Sequence, residues 1–348
     1  MSDESERWVE PEPALTAGAG QGAVLSPDQT ESWRERGFAL VDGVIPDSLL
    51  VEARRVIDGL LPKAGTNDVG RYFGSGGRLV FPTGHRSLDD ITLHPRLLAA
   101  VAQLLSVEVG DLRLTQSDIW AKYGHGKKDG DDLSNDDQRI HMDYPNHYLT
   151  HPPGWYEPEA VEMILYFDDV DSCGGATALV SREGSEDPAY VPPYASMPGV
   201  GALRWINDRD AAEAELGREA PEVAEFRTRH LYPREARARF RLGTILFYRH
   251  DLWHRGTWLR EGTRRIAENL CFRRSDSDWI STLHPGWAWS MYRPDQFMET
   301  LIARISVDQR CVLGFPPPGH AHWTPERLEA VRIRYGPLGM DMTPYERP

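Results

Sequence analysis

Residues 243–272 read GTILFYRHDLWHRGTWLREGTRRIAENLCF, and this stretch decides the fold class of the chain. Apolar runs of strand length occupy 242–248 and 265–273, and the residues between them are mostly polar or glycine. Short runs of this kind, bounded by turn residues, predict two β-strands joined by a turn region.

The same pattern of short apolar runs between turn residues extends back to residue 112. Gly, Pro, Asn and Asp separate further short runs, which predict strands at 112–123, 140–144, 160–168, 176–180 and 201–206. Helical spacing of apolar residues occurs mainly before this region, at 47–61 and 94–105, and once inside it, at 208–225. Helices followed by many spaced strands predict a mainly β fold with flanking helices (α+β), in which an antiparallel sandwich or barrel carries helices against one face.

The first helix is marked at both ends. Ser26 is a good N-cap, Pro27 suits the first helical position and Gly37 suits the C-cap, so a helix is predicted at 27–36. A short strand is predicted directly after it, at 38–41. Residues 1–25 are acidic and rich in Gly, Pro and Ala, without a periodic apolar face, and we expect them to form a disordered tail outside the fold.

Composition excludes several classes of partner. The 348-residue chain has a formal net charge of −14, which repels nucleic acid and anionic lipid. Its longest apolar runs are of strand length, well short of the ~20 residues that cross a bilayer, so no membrane partner is expected. The three cysteines, Cys173, Cys271 and Cys311, are far apart and predict neither a disulfide framework nor a zinc ribbon. With no export signal at the N-terminus, a cytoplasmic location is expected.

The motif His141-Met142-Asp143 carries the first chemical signal. Side chains two positions apart on a strand point to the same side, so this imidazole and this carboxylate can converge on one ion. His254 supplies a second imidazole. Two histidines and one carboxylate form a facial triad that leaves coordination positions open, as non-haem Fe(II) oxygen chemistry requires. We therefore predict His141, Asp143 and His254 as ligands of Fe(II), with O2 as a reactant.

Arg265 extends this pattern. It lies eleven residues beyond His254, at the start of the next apolar strand, where a guanidinium can hold a carboxylate with two hydrogen bonds. A cosubstrate that chelates iron at one end and ends in a carboxylate fits this arrangement, and 2-oxoglutarate is such a molecule. Arg264 competes for the role, but strand alternation places Arg265 with small residues that suit a crowded interior. Lys122, on the strand before the metal motif, can assist the same carboxylate or simply extend toward solvent.

Taken together, these residues resemble the phytanoyl-CoA dioxygenase-like branch of the Fe(II)/2-oxoglutarate-dependent oxygenases. The likeness covers about residues 26–275 and includes GFALVDGVIP at 37–46, HPRLLAAVAQLL at 94–105 and CGGATALVSREGS at 173–185. It implies a double-stranded β-helix (jelly-roll or cupin-like) core, the metal triad above, and Arg265 as the residue that binds 2-oxoglutarate. Gln138 and Thr177 match positions that lie near 2-oxoglutarate in that family. The family's activity implies hydroxylation of an unactivated C–H bond in a small-molecule substrate, with release of succinate and CO2.

The chain departs from the family pattern in three places. A Pro-Gly-Ser-His ending is replaced by Ser181-Arg-Glu-Gly-Ser185, an insertion occupies about 182–240, and 276–348 form a C-terminal extension that we expect to pack on the core. Substrate identity and oligomeric state are not determined by these residues.

Two other classes of function stay open at this point. One is a cupin-type metal enzyme that does not use 2-oxoglutarate, and the other is a catalytically silent binding module on the same fold. Among the remaining histidines, His250 has a helical H-x-x-x-H spacing to His254, but the β-type surroundings and the absent glutamate argue against a zinc pair there. His125, His147 and His151 lie in polar or Pro-rich segments, where exposure is expected.

Overall fold

The structure is a computed structural model that describes residues 6–16, 23–64, 79–124, 137–191, 208–277, 297–312 and 315–346. Its strands are β1 (Trp8–Val9), β2 (Glu12–Pro13), β3 (Phe38–Asp42), β4 (Leu112–Tyr123), β5 (Ala160–Tyr166), β6 (Thr177–Leu179), β7 (Ala236–Ala238), β8 (Ile245–Tyr248), β9 (His254–Gly256) and β10 (Arg264–Arg274). The helices up to residue 230 are α1 (Pro27–Arg36), α2 (Asp47–Leu60), α3 (Arg86–Thr92), α4 (Pro95–Leu105), α5 (Tyr144–His147), α6 (Val170–Cys173), α7 (Arg209–Glu219) and α8 (Pro221–His230). Those nearer the C-terminus are α9 (Phe297–Arg304), α10 (Val307–Val312), α11 (Pro325–Tyr335) and α12 (Thr343–Glu346).

The strands form two sheets. The larger sheet has the order β2-β3-β8-β5-β10-β4, and the smaller has the order β1-β7-β6-β9. A bridge between His141 and His254 adds the metal-motif segment beside β9. From β4 onward the chain passes back and forth between the sheets, so that neighbours within each sheet are distant in sequence. This is the topology of a jelly roll, or double-stranded β-helix, and the predicted α+β fold with such a core is confirmed. Over the described residues the sheets stay open at their edges and form no closed barrel.

Apolar side chains fill the space between the two sheets. Ile164 and Tyr166 of β5 and Leu246 of β8 meet Leu179 of β6 and Ala238 of β7 in one buried cluster. The Tyr166 hydroxyl also bonds the Thr177 hydroxyl across the gap, at 2.7 Å. Because alternate residues of a strand face opposite sides, every second position of β5 and β10 points into this interior.

The opposite face of the larger sheet is covered by helices. Val161, Met163 and Leu165 of β5 pack in a second apolar cluster with residues of α2 and α4, among them Leu50, Ala53, Ile57, Leu97 and Val101. The apolar stripes at helical spacing in 47–61 and 94–105 therefore bury against the sheet, as an amphipathic helix requires. Helix α1 runs from Pro27 to Arg36 as predicted, with a capping box between Ser26 and Gln29 and a left-handed Gly37 at its C-cap.

The prediction of a disordered tail at 1–25 is wrong for residues 6–16 and 23–25. Strand β1 pairs with β7 and strand β2 pairs with β3, so both lie in sheets. Val24 and Leu25 are buried, and their amides donate to the Gln103 side chain at 3.0 and 3.1 Å. The segment is ordered by backbone pairing with sheet edges, which needs no apolar periodicity.

Two further sequence predictions need correction. The strand predicted at 140–144 is a single bridge at His141, after which Pro145 occupies the first turn of helix α5. The helix predicted at 208–225 is two helices, α7 and α8, because Pro221 cannot continue the helix that precedes it. The strand predicted at 201–206 lies outside the described residues.

The C-terminal segment packs on the core next to the metal motif. Thr324 caps helix α11, and Arg334 of that helix donates to the carbonyls of Pro145 and Tyr148, both at 2.8 Å. The Tyr335 hydroxyl donates to the Leu149 carbonyl at 2.7 Å. The extension therefore holds the segment that directly follows Asp143. No helix within the described ranges is long and apolar enough to cross a membrane.

Candidate metal centre and cosubstrate pocket

His141, Asp143 and His254 meet inside the jelly roll. Their possible ligand atoms lie within 4.8 Å of one another, and each residue is at most 7% exposed. The Asp143 carboxylate lies 3.0 Å from His254 Nε2 and 3.5 Å from His141 Nε2. An octahedral ion holds adjacent ligand atoms roughly 3 Å apart, so the three groups fit one such ion.

The backbone fixes this convergence. His141 and His254 exchange two amide-to-carbonyl bonds of 2.9 Å, and the amides of Asp143 and Tyr144 donate to the His250 carbonyl. Asp143 has an αR conformation at the N-cap of α5, so its side chain reaches the site through a turn rather than through strand alternation. The predicted meeting of His141 and Asp143 is therefore observed, for a different local reason.

Hydrogen bonds orient both imidazoles toward the centre. Nδ1 of His141 lies 3.0 Å from the Arg139 carbonyl, and Nδ1 of His254 lies 3.0 Å from the Leu252 carbonyl. A carbonyl accepts only, so each Nδ1 carries a proton, and Nε2 is the nitrogen that would present its lone pair to a bound ion. This is the tautomer that metal-binding histidines adopt when a backbone carbonyl holds the other nitrogen.

The electrostatics separate the two histidines. Burial and the neighbouring His254 lower the pKa of His141 to about 3, so this imidazole is neutral. Burial also acts against charge on His254, but the adjacent Asp143 carboxylate outweighs it and raises the pKa of His254 above its usual value. The Tyr248 hydroxyl donates to Asp143 at 3.2 Å and helps to hold the carboxylate between the rings.

Arg265 is at the inner face of β10, and Arg264 is at the outer face. Arg265 is 5% exposed, donates to the Gly175 carbonyl, and has a buried Nε without a hydrogen-bond partner. Arg264 instead donates to the Pro62 carbonyl at 2.8 Å, on the side covered by α2. A buried guanidinium nitrogen without a partner is costly unless an anion binds it, so Arg265 fits the terminal carboxylate of 2-oxoglutarate.

Lys122 and Gln138 lie beside the same pocket. Lys122 is opposite Arg265 in the sheet register, and a Cβ added to Gly256 would lie 3.1 Å from Lys122 Nζ and 2.7 Å from Gln138 Oε1. The Gln138 Oε1 accepts the Gly256 amide at 2.9 Å. Burial, together with the charge of Arg265, lowers the pKa of Lys122 well below its usual range. Two cations in one buried pocket repel each other, and a bound dianion would offset that repulsion.

Thr177 faces the interior from β6. Its hydroxyl is engaged by the Tyr166 hydroxyl at 2.7 Å, and the Arg265 guanidinium lies 6.0 Å from the centre of the Tyr166 ring. The structure thus places Arg265, Lys122, Gln138 and Thr177 on one side of the triad. Their predicted contact with 2-oxoglutarate remains a prediction.

Sequence reasoning missed a second polar cluster in the same interior. His147, His250 and Cys271 have ligand atoms within 4.8 Å of one another, and Glu162 lies against both histidines. His147 and His151 are buried rather than exposed, since His147 stacks on His250 and His151 packs against Tyr144. A sequence signal existed for Glu162, which is the one acidic residue in the otherwise apolar strand β5. His125 lies outside the described residues.

No protein-family model and no curated protein matches this chain. Solved structures do match it. One is the non-haem α-ketoglutarate-dependent carbocyclase SnoK from nogalamycin biosynthesis, with 16% identity, a TM-score of 0.48 and coverage of 85% of this chain and 94% of that one. Another is EvdO2 from Micromonospora carbonacea var. aurantiaca, complexed with 2-oxoglutarate, with 14% identity, a TM-score of 0.47 and coverage of 72% and 92%.

A third is HygX from Streptomyces hygroscopicus, with nickel and 2-oxoglutarate bound, at 15% identity and a TM-score of 0.44, covering 73% of this chain and 88% of that one. The chain is distantly similar to these structures, and the function proposed below rests on its own side chains.

Proposed function

We propose that the chain is a non-haem Fe(II)- and 2-oxoglutarate-dependent dioxygenase that hydroxylates an unactivated C–H bond of a small molecule. The observation that carries the proposal is the buried triad of His141, Asp143 and His254 next to a buried arginine whose Nε has no partner. Fe(II) with 2-oxoglutarate and O2 supplies, when bound, the oxidising power for C–H cleavage, and the cosubstrate leaves as succinate and CO2.

The residues of the chain have separate tasks in this proposal. His141 and His254 would bind the ion through Nε2, His254 giving up any Nε2 proton when it binds, and the Asp143 carboxylate supplies one negative charge to balance the cation. Arg265 binds the far carboxylate of the cosubstrate, while Lys122 and Gln138 close the same pocket. The apolar interior around Tyr166, Leu246 and Trp253 excludes water from the reacting centre.

The intact carboxylate ligand bears on the reaction outcome. In halogenating relatives of this class a halide takes the position of the carboxylate, so Asp143 argues for hydroxylation. Desaturation, epoxidation or ring formation can follow the same hydrogen abstraction.

The proposal also includes the broader assignments made from sequence. The strand topology and the motif positions support a core at about 26–275, to which the N-terminal strands β1 and β2 are added, with a C-terminal extension after it. They also support membership of the phytanoyl-CoA dioxygenase-like branch. A cytoplasmic location is supported by the two free buried thiols of Cys173 and Cys271.

An anaerobic titration with Fe(II) and then 2-oxoglutarate tests the proposal. The chelate of the two gives a weak visible charge-transfer band, which we expect in the wild type and not in His141→Ala. His230→Ala, at the end of α8 and away from the triad, is the matched control and should keep the band. Bound iron without a band would indicate a metal enzyme that does not use 2-oxoglutarate, and no iron binding would indicate a silent module.

A further inference from the structure

We propose that His147, His250, Cys271 and Glu162 form a second metal site, which takes a tetrahedral zinc-class divalent ion. These residues come from α5, from the turn before β9, and from the inner faces of β10 and β5. All four are buried, with at most 5% exposure. The cluster adjoins the triad, since Asp143 and His254 are charged neighbours of Glu162, but its own ligand set carries the inference, which does not depend on the proposed function.

The distances between the groups match a tetrahedral ion. Cys271 Sγ lies 3.3 Å from His250 Nε2, and the ligand atoms of His147, His250 and Cys271 lie within 4.8 Å of one another. The Glu162 carboxylate is the fourth group, with Oε2 at 3.5 Å from His250 Nε2 and Oε1 at 3.6 Å from His147 Nε2. Zinc bonds of about 2.3 Å to sulfur and about 2.0–2.1 Å to nitrogen or oxygen place neighbouring ligand atoms roughly 3.3–3.6 Å apart. The ring centroids of His147 and His250 lie 4.2 Å apart with an interplanar angle of 27°, against 4.5 Å and 50° for His141 and His254.

One atom of Glu162 points to a missing ligand. Its Oε2 is buried without a hydrogen-bond partner and lies 3.5 Å from His250 Nε2, and the same carboxylate also adjoins Asp143 and Tyr248. A carboxylate oxygen without a partner in the interior is unfavourable unless something binds it, and more so if it is charged. A cation at the centre of the cluster would bind it.

A hydrogen-bonded relay does not explain the arrangement. In a Cys-His-acid relay the thiol and the carboxylate contact opposite nitrogens of the imidazole. Here both Cys271 Sγ and Glu162 Oε2 face the same atom, His250 Nε2. A single nitrogen cannot carry a proton to both, whereas one ion can bind all three groups.

The charge and softness of the ligands select the ion. Two neutral imidazoles, one thiolate and one carboxylate carry a charge of −2, which a divalent ion balances inside an apolar core. Binding releases the Cys271 thiol proton and any proton on Glu162 to solvent. A thiolate with imidazoles favours zinc over the harder magnesium and calcium ions. Four protein ligands fill the tetrahedron, so the site is structural rather than catalytic.

The position of the cluster indicates its role. His147 is four residues after Asp143, and His250 is four residues before His254, so one ion would tie together the two segments that carry triad ligands. The amides of Asp143 and Tyr144 already donate to the His250 carbonyl. A second ion would therefore help to fix the geometry of the triad.

Cobalt(II) substitution tests the second site. A cobalt–thiolate bond absorbs in the near ultraviolet, and a site built only from nitrogen and oxygen ligands does not. We expect the chelator-treated full-length chain to bind two equivalents of Co(II) with this absorption. Cys271→Ser should lose the absorption and one equivalent. Cys173→Ser, which removes a second buried thiol, is the matched control and should keep both, since Cys173 Sγ donates to the backbone carbonyls of Asp169 and Gly174.

A second variant separates loss of the ligand from loss of the fold. His147→Gln should lower the Co(II) stoichiometry by one while far-ultraviolet circular dichroism stays unchanged, and His141→Ala should keep the thiolate absorption. A wild type without thiolate absorption, or an absorption that survives Cys271→Ser, overturns the second site whatever the iron titration shows. If the absorption is present but Fe(II) with 2-oxoglutarate gives no band, the second site stands and the proposed dioxygenase fails.

Discussion

Replacing Arg265 by alanine isolates the contribution of one buried guanidinium to cosubstrate binding. Arg265 is 5% exposed, its Nε has no partner, and Gly175 is the acceptor of the hydrogen bond it donates. In Arg265→Ala the carboxylate of 2-oxoglutarate would enter a buried pocket without its bidentate partner. Removing one partner of a buried ion pair costs about 3–5 kcal/mol.

Lys122 reduces this loss because it lies in the same pocket, and the loss of the neighbouring Arg265 charge favours its protonated form there. We therefore expect a net loss of about 2–4 kcal/mol, which raises the Kd of 2-oxoglutarate roughly 30- to 900-fold. Arg265→Lys should fall between wild type and alanine, because a lysine keeps the charge but not the two parallel hydrogen bonds.

The assay is an anaerobic titration of the Fe(II)-loaded protein with 2-oxoglutarate, followed by the visible charge-transfer band. Arg264→Ala is the matched control, since its guanidinium donates to Pro62 on the outer face of the sheet. It should lower stability and leave the Kd unchanged. A change of less than about 3-fold in Arg265→Ala, or equal effects at the two arginines, would refute the assignment of the pocket.

Three further predictions concern stability. Burial raises the pKa of Glu268 to about 8, against the hydrogen bonds from Thr92 and Ser117 that favour its ionised form. Because the folded state keeps this proton, stability from Glu268 is present at low pH and is lost as pH rises toward 8. The unfolding free energy of the wild type should therefore fall by up to about 1.4 kcal/mol per pH unit relative to Glu268→Gln between pH 5 and 8, and parallel curves in urea denaturation would contradict this. Ser26→Ala removes the capping box of α1 and should cost about 1 kcal/mol in the same assay, whereas Ser26→Thr should keep most of it. Gly243→Ala should destabilise the folded state by about 1–3 kcal/mol, because Gly243 has φ +88° and its new Cβ would lie 2.5 Å from Leu50 Cδ1. Gly262→Ala is the control, since Gly262 has φ +73° with open space around it and shows the effect of backbone strain without the clash.

Local sequence signals predicted much of the fold. The capping residues Ser26 and Pro27 and the C-cap Gly37 located helix α1 to the residue, because caps are local hydrogen-bond chemistry. Strand β4 also begins and ends where its apolar run predicted. The N-terminal strands were missed because an edge strand is held by backbone pairing with partners more than 20 residues away, which leaves little mark on composition.

The candidate site was predictable in its residue types but not in its geometry. The residues His141, Asp143 and His254 indicated a metal triad. Asp143, however, reaches the site from the N-cap of helix α5, in whose first turn Pro145 lies, and not from a strand. Strand alternation separated Arg265 from Arg264, since a period of two is itself a sequence property. No sequence period and no spacing predicted that His147, His250, Cys271 and Glu162 come together in the fold.

The sequence by itself therefore determined the strand and helix pattern, the helix caps, and the supply of imidazole, carboxylate and guanidinium groups. The tertiary structure decided which of these groups face one another. Segments at 138–147 and 249–256 meet because the chain crosses repeatedly between the two sheets, so the pairing of His141 with His254 spans more than a hundred residues. Side-chain identity is a local property of the chain, but convergence of ligand atoms within 4.8 Å is set by long-range strand pairing and by the packing of the two sheets.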